Sequence, residues 1–136
     1  MTYLLDTDIL SNLMRKAPSP KLLERLAAVP REQQFTSSIT AGELLFGAYR
    51  LGPSANGLLQ RIERALQSSH AILPFDLDAA RRYAAVRADL ERRGIPLADA
   101  DLRIAAIALA RGLTLVTGNR RHFARVPALP IQNWLL

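Results

Sequence analysis

Apolar positions along this chain switch between two periods. Tyr3-Leu4-Leu5 is a short continuous apolar run, and Leu113-Thr114-Leu115-Val116-Thr117 is a longer, largely apolar one. Such a run has no solvent face, so both read as strands buried on both sides of a sheet. Gln34 to Ser37 and Ala71 to Leu73 predict two more strands, and Pro130 to Trp134 predicts a closing edge strand. Between them, apolar residues recur at three- and four-residue spacing, as on one face of a helix. Ile9, Leu10, Leu13 and Met14 mark a first helix, and Leu22, Leu23, Leu26 and Ala27 a second from Lys21 to Ala28. A third starts at Ser38, with Leu44, Leu45, Ala48 and Leu51 inward. A fourth runs from about Ala55 to Gln67, with Leu58, Leu59, Ile62 and Leu66 inward. Asp76 reads as the N-cap of a long helix to about Arg93, lined by Leu77, Ala80, Tyr83, Ala84, Val86 and Leu90. Leu102 to about Arg111 follows, and a short helical piece leads from Gly118-Asn119 to Phe123. Pro30, Gly52-Pro53, Gly94 and Gly112 punctuate the helix ends. Strands alternating with helices predict a parallel sheet covered on both faces, with right-handed crossovers.

Length and composition narrow this picture. The 136 residues, 49% hydrophobic, suit one folded domain spanning 1–136. Without cysteine there is neither a disulfide framework nor a thiolate metal site. The amino terminus opens directly into a strand, and no stretch approaches about 18 consecutive apolar residues. The expectation is a cytoplasmic protein with no membrane partner. The net charge of +6 comes from a basic set in which sixteen of eighteen residues are arginine. A basic surface attracts polyanions, nucleic acid among them. The same composition also follows from the coding bias of a genome, so charge alone leaves the partner open.

Candidate chemistry lies among the twelve acidic residues. Asp6, Glu43, Asp99 and Asp101 sit at element boundaries, and Asp8 follows closely on Asp6. In open α/β sheets, ligands bind at the carboxyl ends of strands, where Asp6 and Asp8 fall. Each has a plain structural alternative. Asp6 or Asp8 fits an N-cap, Glu43 follows Thr40 at capping-box spacing, and Asp99 fits an N-cap. Asp101 would then be a first-turn carboxylate favoured by the helix dipole, and Asn119 would cap the short helix. Capping explains less well why Asp101 shares a face with Ile104, Ala105 and Ala108, the face that packs on the sheet. Converging carboxylates repel, at about 4 kcal/mol for two charges 4 Å apart at an effective dielectric of 20. A cation relieves this, and oxygen-only ligands favour magnesium or manganese over zinc. Such an ion suits phosphoryl chemistry. His70 and His122 lack metal-ligand spacing and read as surface residues.

Four segments in order resemble a known family. They are Leu-Leu-Asp6-Thr7-Asp8-Ile-Leu-Ser, Thr40-Ala-Gly-Glu43-Leu-Leu-Phe-Gly47, Asp99-Ala-Asp101-Leu-Arg-Ile-Ala-Ala and Leu-Val-Thr117-Gly-Asn119-Arg-Arg-His-Phe123. Together they resemble the PIN domain, most closely the VapC-type ribonuclease toxins of toxin–antitoxin modules, over nearly the whole chain. The resemblance implies a three-layer α/β/α sandwich with a central parallel sheet of about five strands. It implies a Mg2+- or Mn2+-dependent endoribonuclease acting on tRNA, rRNA or mRNA by water attack on a phosphate. Asp6, Glu43 and Asp101 match the family's acidic positions and are the expected catalytic and metal-holding residues. Asn119, the fourth expected catalytic residue, stands where many members have a fourth aspartate; it keeps an oxygen but adds no charge, and Asp99 is a candidate ligand that compensates. Thr7 and Thr117 are candidates to hydrogen-bond carboxylates or a phosphate. The implied partners are a VapB-like antitoxin, in a hetero-oligomer, and a second copy of the chain.

Two other readings compete. Asp6-Thr7-Asp8 after a strand also resembles the D-x-D of haloacid-dehalogenase phosphatases, whose first aspartate is a nucleophile. That chemistry needs a later lysine, and the only lysines are Lys16 and Lys21. A catalytically weak or inactive module binding RNA or a protein partner is the second, suggested by Asn119.

Overall fold

The computed structural model describes residues 1–136. The elements are β1 (Tyr3–Leu5), α1 (Thr7–Leu13), α2 (Pro20–Ala28), β2 (Gln34–Ser37), α3 (Ser38–Leu51) and α4 (Leu58–Gln67). They continue through β3 (Ala71–Leu73), α5 (Leu77–Arg92), α6 (Asp99–Arg111), β4 (Thr114–Val116), α7 (Arg120–Phe123) and β5 (Ile131–Gln132). Every strand and helix expected from the periodicity is present, with shifted ends. Residues Gly52–Ala55 form a 3-10 turn, and Gly57 takes a left-handed φ of 77°, so α4 starts only at Leu58. The closing strand is two residues long. Pro130 brings no N–H, and Asn133 accepts from the Leu135 amide in a side-chain turn that ends it.

All four strand pairings are parallel, in the order β3-β2-β1-β4-β5. Leu4 pairs with Leu115 and Leu5 with Val116. Alternation then sends Leu4 and Leu115 into one core and Leu5 and Val116 into the other. The first core holds Ile104, Ile107 and Phe123 from α6 and α7; the second holds Ile9, Leu10, Leu22, Leu44 and Ile62 from α1 to α4. This is the three-layer α/β/α sandwich. From β1 to β3 the chain steps one way across the sheet, and then β4 returns to the far side of β1. With right-handed crossovers, that reversal moves the helices to the opposite face. It also makes the β1/β4 boundary the topological switch point, where a crevice opens at the strand ends.

The inward lines of four helices, α2 to α5, differ from expectation. Leu51, Leu59, Leu77 and Ala84 are exposed, as are Leu23 and Ala27. On α5 the buried line is Ala79 and Leu90, with half-buried Tyr83 and Val86 between them. These recur at four, three and four residues, whereas Leu77 and Ala84 fall off that stripe. No helix is long and apolar enough to cross a membrane.

Candidate active site

Leu5 and Val116 are buried side by side, so the chain leaves the sheet at the very next residue, Asp6. Its backbone N–H still bonds the Val116 carbonyl at 2.9 Å, and its side chain is only 2% exposed. One carboxylate oxygen caps α1 by accepting from the Thr7 amide at 2.8 Å. The other accepts from the Thr117 hydroxyl at 2.7 Å. Thr117 Oγ1 in turn accepts from the Asn119 amide at 2.9 Å, which ties the loop after β4 to the end of β1. Burial pushes the Asp6 carboxyl up to about 7; the Thr117 and Thr7 hydrogen bonds oppose this, and the charges of Asp8 and Asp101 add to it.

Asp8 stands in the first turn of α1. Its Oδ2 accepts from the Gly118 amide at 2.8 Å, whereas its Oδ1 is buried and accepts nothing. Burial raises its pKa as well. A Cβ at residue 118 would lie 2.7 Å from that Oδ2 and 3.0 Å from Leu135 Cδ1. A side chain at 118 would push the Asp8 carboxylate aside, so glycine serves close approach here rather than a special φ.

Glu43 comes from α3. Its Oε1 accepts from Thr7 Oγ1 at 2.7 Å, and Thr7 Oγ1 is 3.0 Å from Thr40 Oγ1. The capping-box reading of Thr40 and Glu43 does not hold. Ser37 is the N-cap, accepting from the Thr40 amide at 3.1 Å, and Glu43 lies six residues beyond it. Glu43 is thus free to face α1, with Thr7 bridging the two helices.

The start of α6 separates two carboxylates. Its N-cap is Ala98, without a side-chain bond, so Asp99 is the first helical residue and not the cap. Asp99 accepts from the Tyr83 hydroxyl on α5 and from Arg103 Nε at 2.7 Å, and it lies outside the acidic cleft. The expectation that Asp99 adds a metal ligand is therefore corrected: its donors are on the α5 side. The Tyr83 hydrogen bond, with help from Arg103, holds its carboxyl below the usual range. Asp101 faces the other way. Burial and the nearby Glu43 charge raise its pKa, and His122 partly offsets this. Asn119 sits at the N-cap position of α7 but makes no capping bond with its side chain.

Asp6, Asp8, Glu43, Asp101 and Asn119 line one open cleft of about 360 Å³, with Thr7, Ser11 and Arg15, and no hydrophobic residue. The structure thus brings together all four expected catalytic residues and adds Asp8. The donors are oxygens, one of them buried without a partner, and the carboxylates destabilise one another when ionised. That chemistry fits a hard divalent cation. No three acidic or imidazole groups close into a chelating cluster on their own. Magnesium tolerates this, because it keeps several waters and takes only one or two carboxylates directly.

Residues 3–129 match the family model described as the PIN domain. The chain belongs to the PIN-domain family. Among curated relatives of this PIN domain is the tRNA(fMet)-specific endonuclease VapC of Salmonella typhimurium. It is 38% identical over 104 residues, covering 72% of this chain and 73% of that protein. Ribonuclease VapC2 of Haemophilus influenzae is 34% identical over 138 residues, 99% of each chain. Among solved structures, the DNA-bound VapBC of Salmonella typhimurium matches with a TM-score of 0.89 at 31% identity, covering 98% of each chain. The β1-end aspartate, the α3 glutamate and the α6 aspartate of this PIN domain all lie within the matched span.

Sequence reasoning named the acidic positions and two of their supports, Thr7 on Glu43 and Thr117 on Asp6, but missed two other residues of the cleft. Nothing in the local pattern marks Gly118 as the donor to Asp8, or Arg15 as part of the cleft.

Proposed function

We propose that this PIN domain is a divalent-metal-dependent endoribonuclease, the toxin of a VapBC-type module held in check by a VapB-like antitoxin. The observation that carries this reading is the convergence of four carboxylates in one polar cleft at the switch point of the sheet. The relatives' names supply the substrate class. Asp6, Glu43 and Asp101 would hold a Mg2+ or Mn2+ ion. When bound, that ion supplies activation of a water and stabilisation of the leaving oxygen.

The protein's own part is to hold the acids in place against their repulsion. Thr117 and the Thr7 amide fix both oxygens of Asp6. Thr7 Oγ1 fixes Glu43, and the Gly118 amide fixes Asp8. These donors are in place before substrate arrives, so no reorganisation is needed during the reaction. Asn119 offers an uncharged amide to orient water or a phosphate oxygen. A cleft carboxylate takes the proton of the attacking water as its oxygen bonds to phosphorus; the P–O bond opposite it, to a ribose oxygen, breaks, that oxygen leaves with a proton from solvent, and no covalent intermediate forms. A second copy of the chain and the antitoxin complete the expected assembly in the cytoplasm.

The test is cleavage of a mixed RNA pool by the purified chain in magnesium, in manganese and in EDTA, with Asp101→Asn as the contamination control. Metal-dependent cutting that disappears in the variant supports the assignment. Equal cutting by the variant, or no cutting by the folded wild type in either metal, contradicts it.

A further inference from the structure

We infer that Arg15 is the residue of the acidic cleft that holds an RNA phosphate, a role that rests on the ribonuclease reading above. Asp8, Ser11 and Arg15 follow one another at three- and four-residue spacing, so they share one side of α1 and its final turn. The other side carries Ile9 and Leu10 into the core. The turn continues through Met14, and the Arg15 amide bonds the Asn12 carbonyl at 3.1 Å. Arg15 therefore projects along the same cleft as the carboxylates, and it is the only cationic side chain lining it.

Its second property is that it is unspent. The four ion pairs of the chain use Arg87, Arg93, Arg103 and Arg111. Arg25, Arg31 and Arg125 donate hydrogen bonds elsewhere. Arg15 has neither, although it lines a cleft with four acids. An exposed guanidinium with all its donors free suits two-pronged binding of a phosphate. The charge balance points the same way. Four ionised carboxylates oppose a polyanion, and one divalent ion cancels half of that charge. Arg15 removes one more unit at the place where the backbone must enter.

A purely structural role exists for comparison: a cation after the last turn of α1 favours the helix dipole. It predicts a change in stability and none in RNA binding, so the two separate cleanly. The experiment uses Arg15→Ala, Arg15→Lys and, as a control on α5 and outside the cleft, Arg82→Ala, which is also exposed and in none of the four ion pairs. Steady-state cleavage of a mixed RNA pool is measured in magnesium. Binding of a fluorescent random-sequence RNA oligonucleotide to each variant in an Asp101→Asn background is followed from 50 to 200 mM salt, roughly the range over which phosphate contacts dominate. The expected result for Arg15→Ala is a KM raised on the order of tenfold. Its kcat changes far less, and the slope of log affinity against log salt shrinks by about 0.7 to 0.9, one phosphate contact. Arg15→Lys recovers the slope, Arg82→Ala matches wild type, and all three melt near the wild-type temperature. An Arg15→Ala protein with unchanged KM and salt slope overturns the inference and leaves the nuclease reading intact, provided wild type cuts and Asp101→Asn does not. A wild type that neither binds nor cuts RNA overturns both.

Discussion

Asp99 and Asp101 are two residues apart in one turn of α6, and their surroundings are opposite. Asp99 is exposed, hydrogen-bonded by Tyr83 and Arg103, and acidified by them. Arg103 also lies over the Phe75 and Tyr83 rings, at 5.3 and 5.5 Å. The result is a neutralised cluster that joins α5 to α6. Asp101 is half-buried among other acids, lacks a cation partner in hydrogen-bonding contact, and is pushed toward protonation. A carboxylate supplied with donors is already satisfied. One left among like charges suits a ligand, and that difference is why Asp101 is proposed as the functional member of the pair.

The largest effect separates the pair in catalysis. Asp101→Asn is expected to lower RNA cleavage by at least about a hundredfold, the usual scale for losing one preorganised electrostatic group. Asp99→Asn should stay within about threefold of wild type in the same initial-rate assay. Next comes the loop that supports the cleft. Gly118→Ala forces a methyl group against Asp8 Oδ2, and overpacking of this kind costs about 1–3 kcal/mol. Chemical denaturation should show that loss, with cleavage reduced alongside; a variant as stable as wild type would mean that Asp8 and the loop separate easily.

A third effect is the pH response of the metal-free protein. Asp6 titrates near 7 when folded, against 3.8 as its ordinary value. Between those values the folded chain holds a proton that the unfolded chain has released. Stability in EDTA should therefore fall as pH rises from about 4 to about 7 and level off above, all else equal. Manganese should reverse this, with a gain in melting temperature that grows over the same window, because cation and proton compete for the same oxygens. A manganese gain independent of pH would contradict the site. The smallest effect is the stability of Asp99→Asn. Its ion pair is solvent-exposed, so the loss should be under about 1 kcal/mol by denaturant titration.

Much of this was legible in the residues. The continuous apolar runs at 3–5 and 113–117 fixed two central strands, because a strand covered on both faces cannot alternate. The acids that meet in the cleft were legible from their places at strand and helix ends. What separates Asp99 from Asp101 was half legible: positions two apart on a helix are about 200° apart around its axis and cannot share a face. Which of the two met the cleft depended on Tyr83, sixteen residues earlier, and that is tertiary information. The caps were legible in part: Asp6 and Asp76 cap as their positions suggested, whereas the cap of α3 was missed. Ser37, the last residue of β2, caps α3 from the Ser38 start that the periodicity gave, and so the Thr40/Glu43 capping box has no place. Gly118 and Arg15 gave no local signal, since a glycine needed for close approach reads as an ordinary turn.

The central claim is that the cleft around Asp101, and not the cluster around Asp99, takes the divalent cation. The most direct measurement is calorimetric titration of Mn2+ into wild type, Asp99→Asn and Asp101→Asn. The account predicts binding to wild type and Asp99→Asn with matching affinity, and loss of most of that affinity in Asp101→Asn. Affinity lost in Asp99→Asn and kept in Asp101→Asn would contradict it.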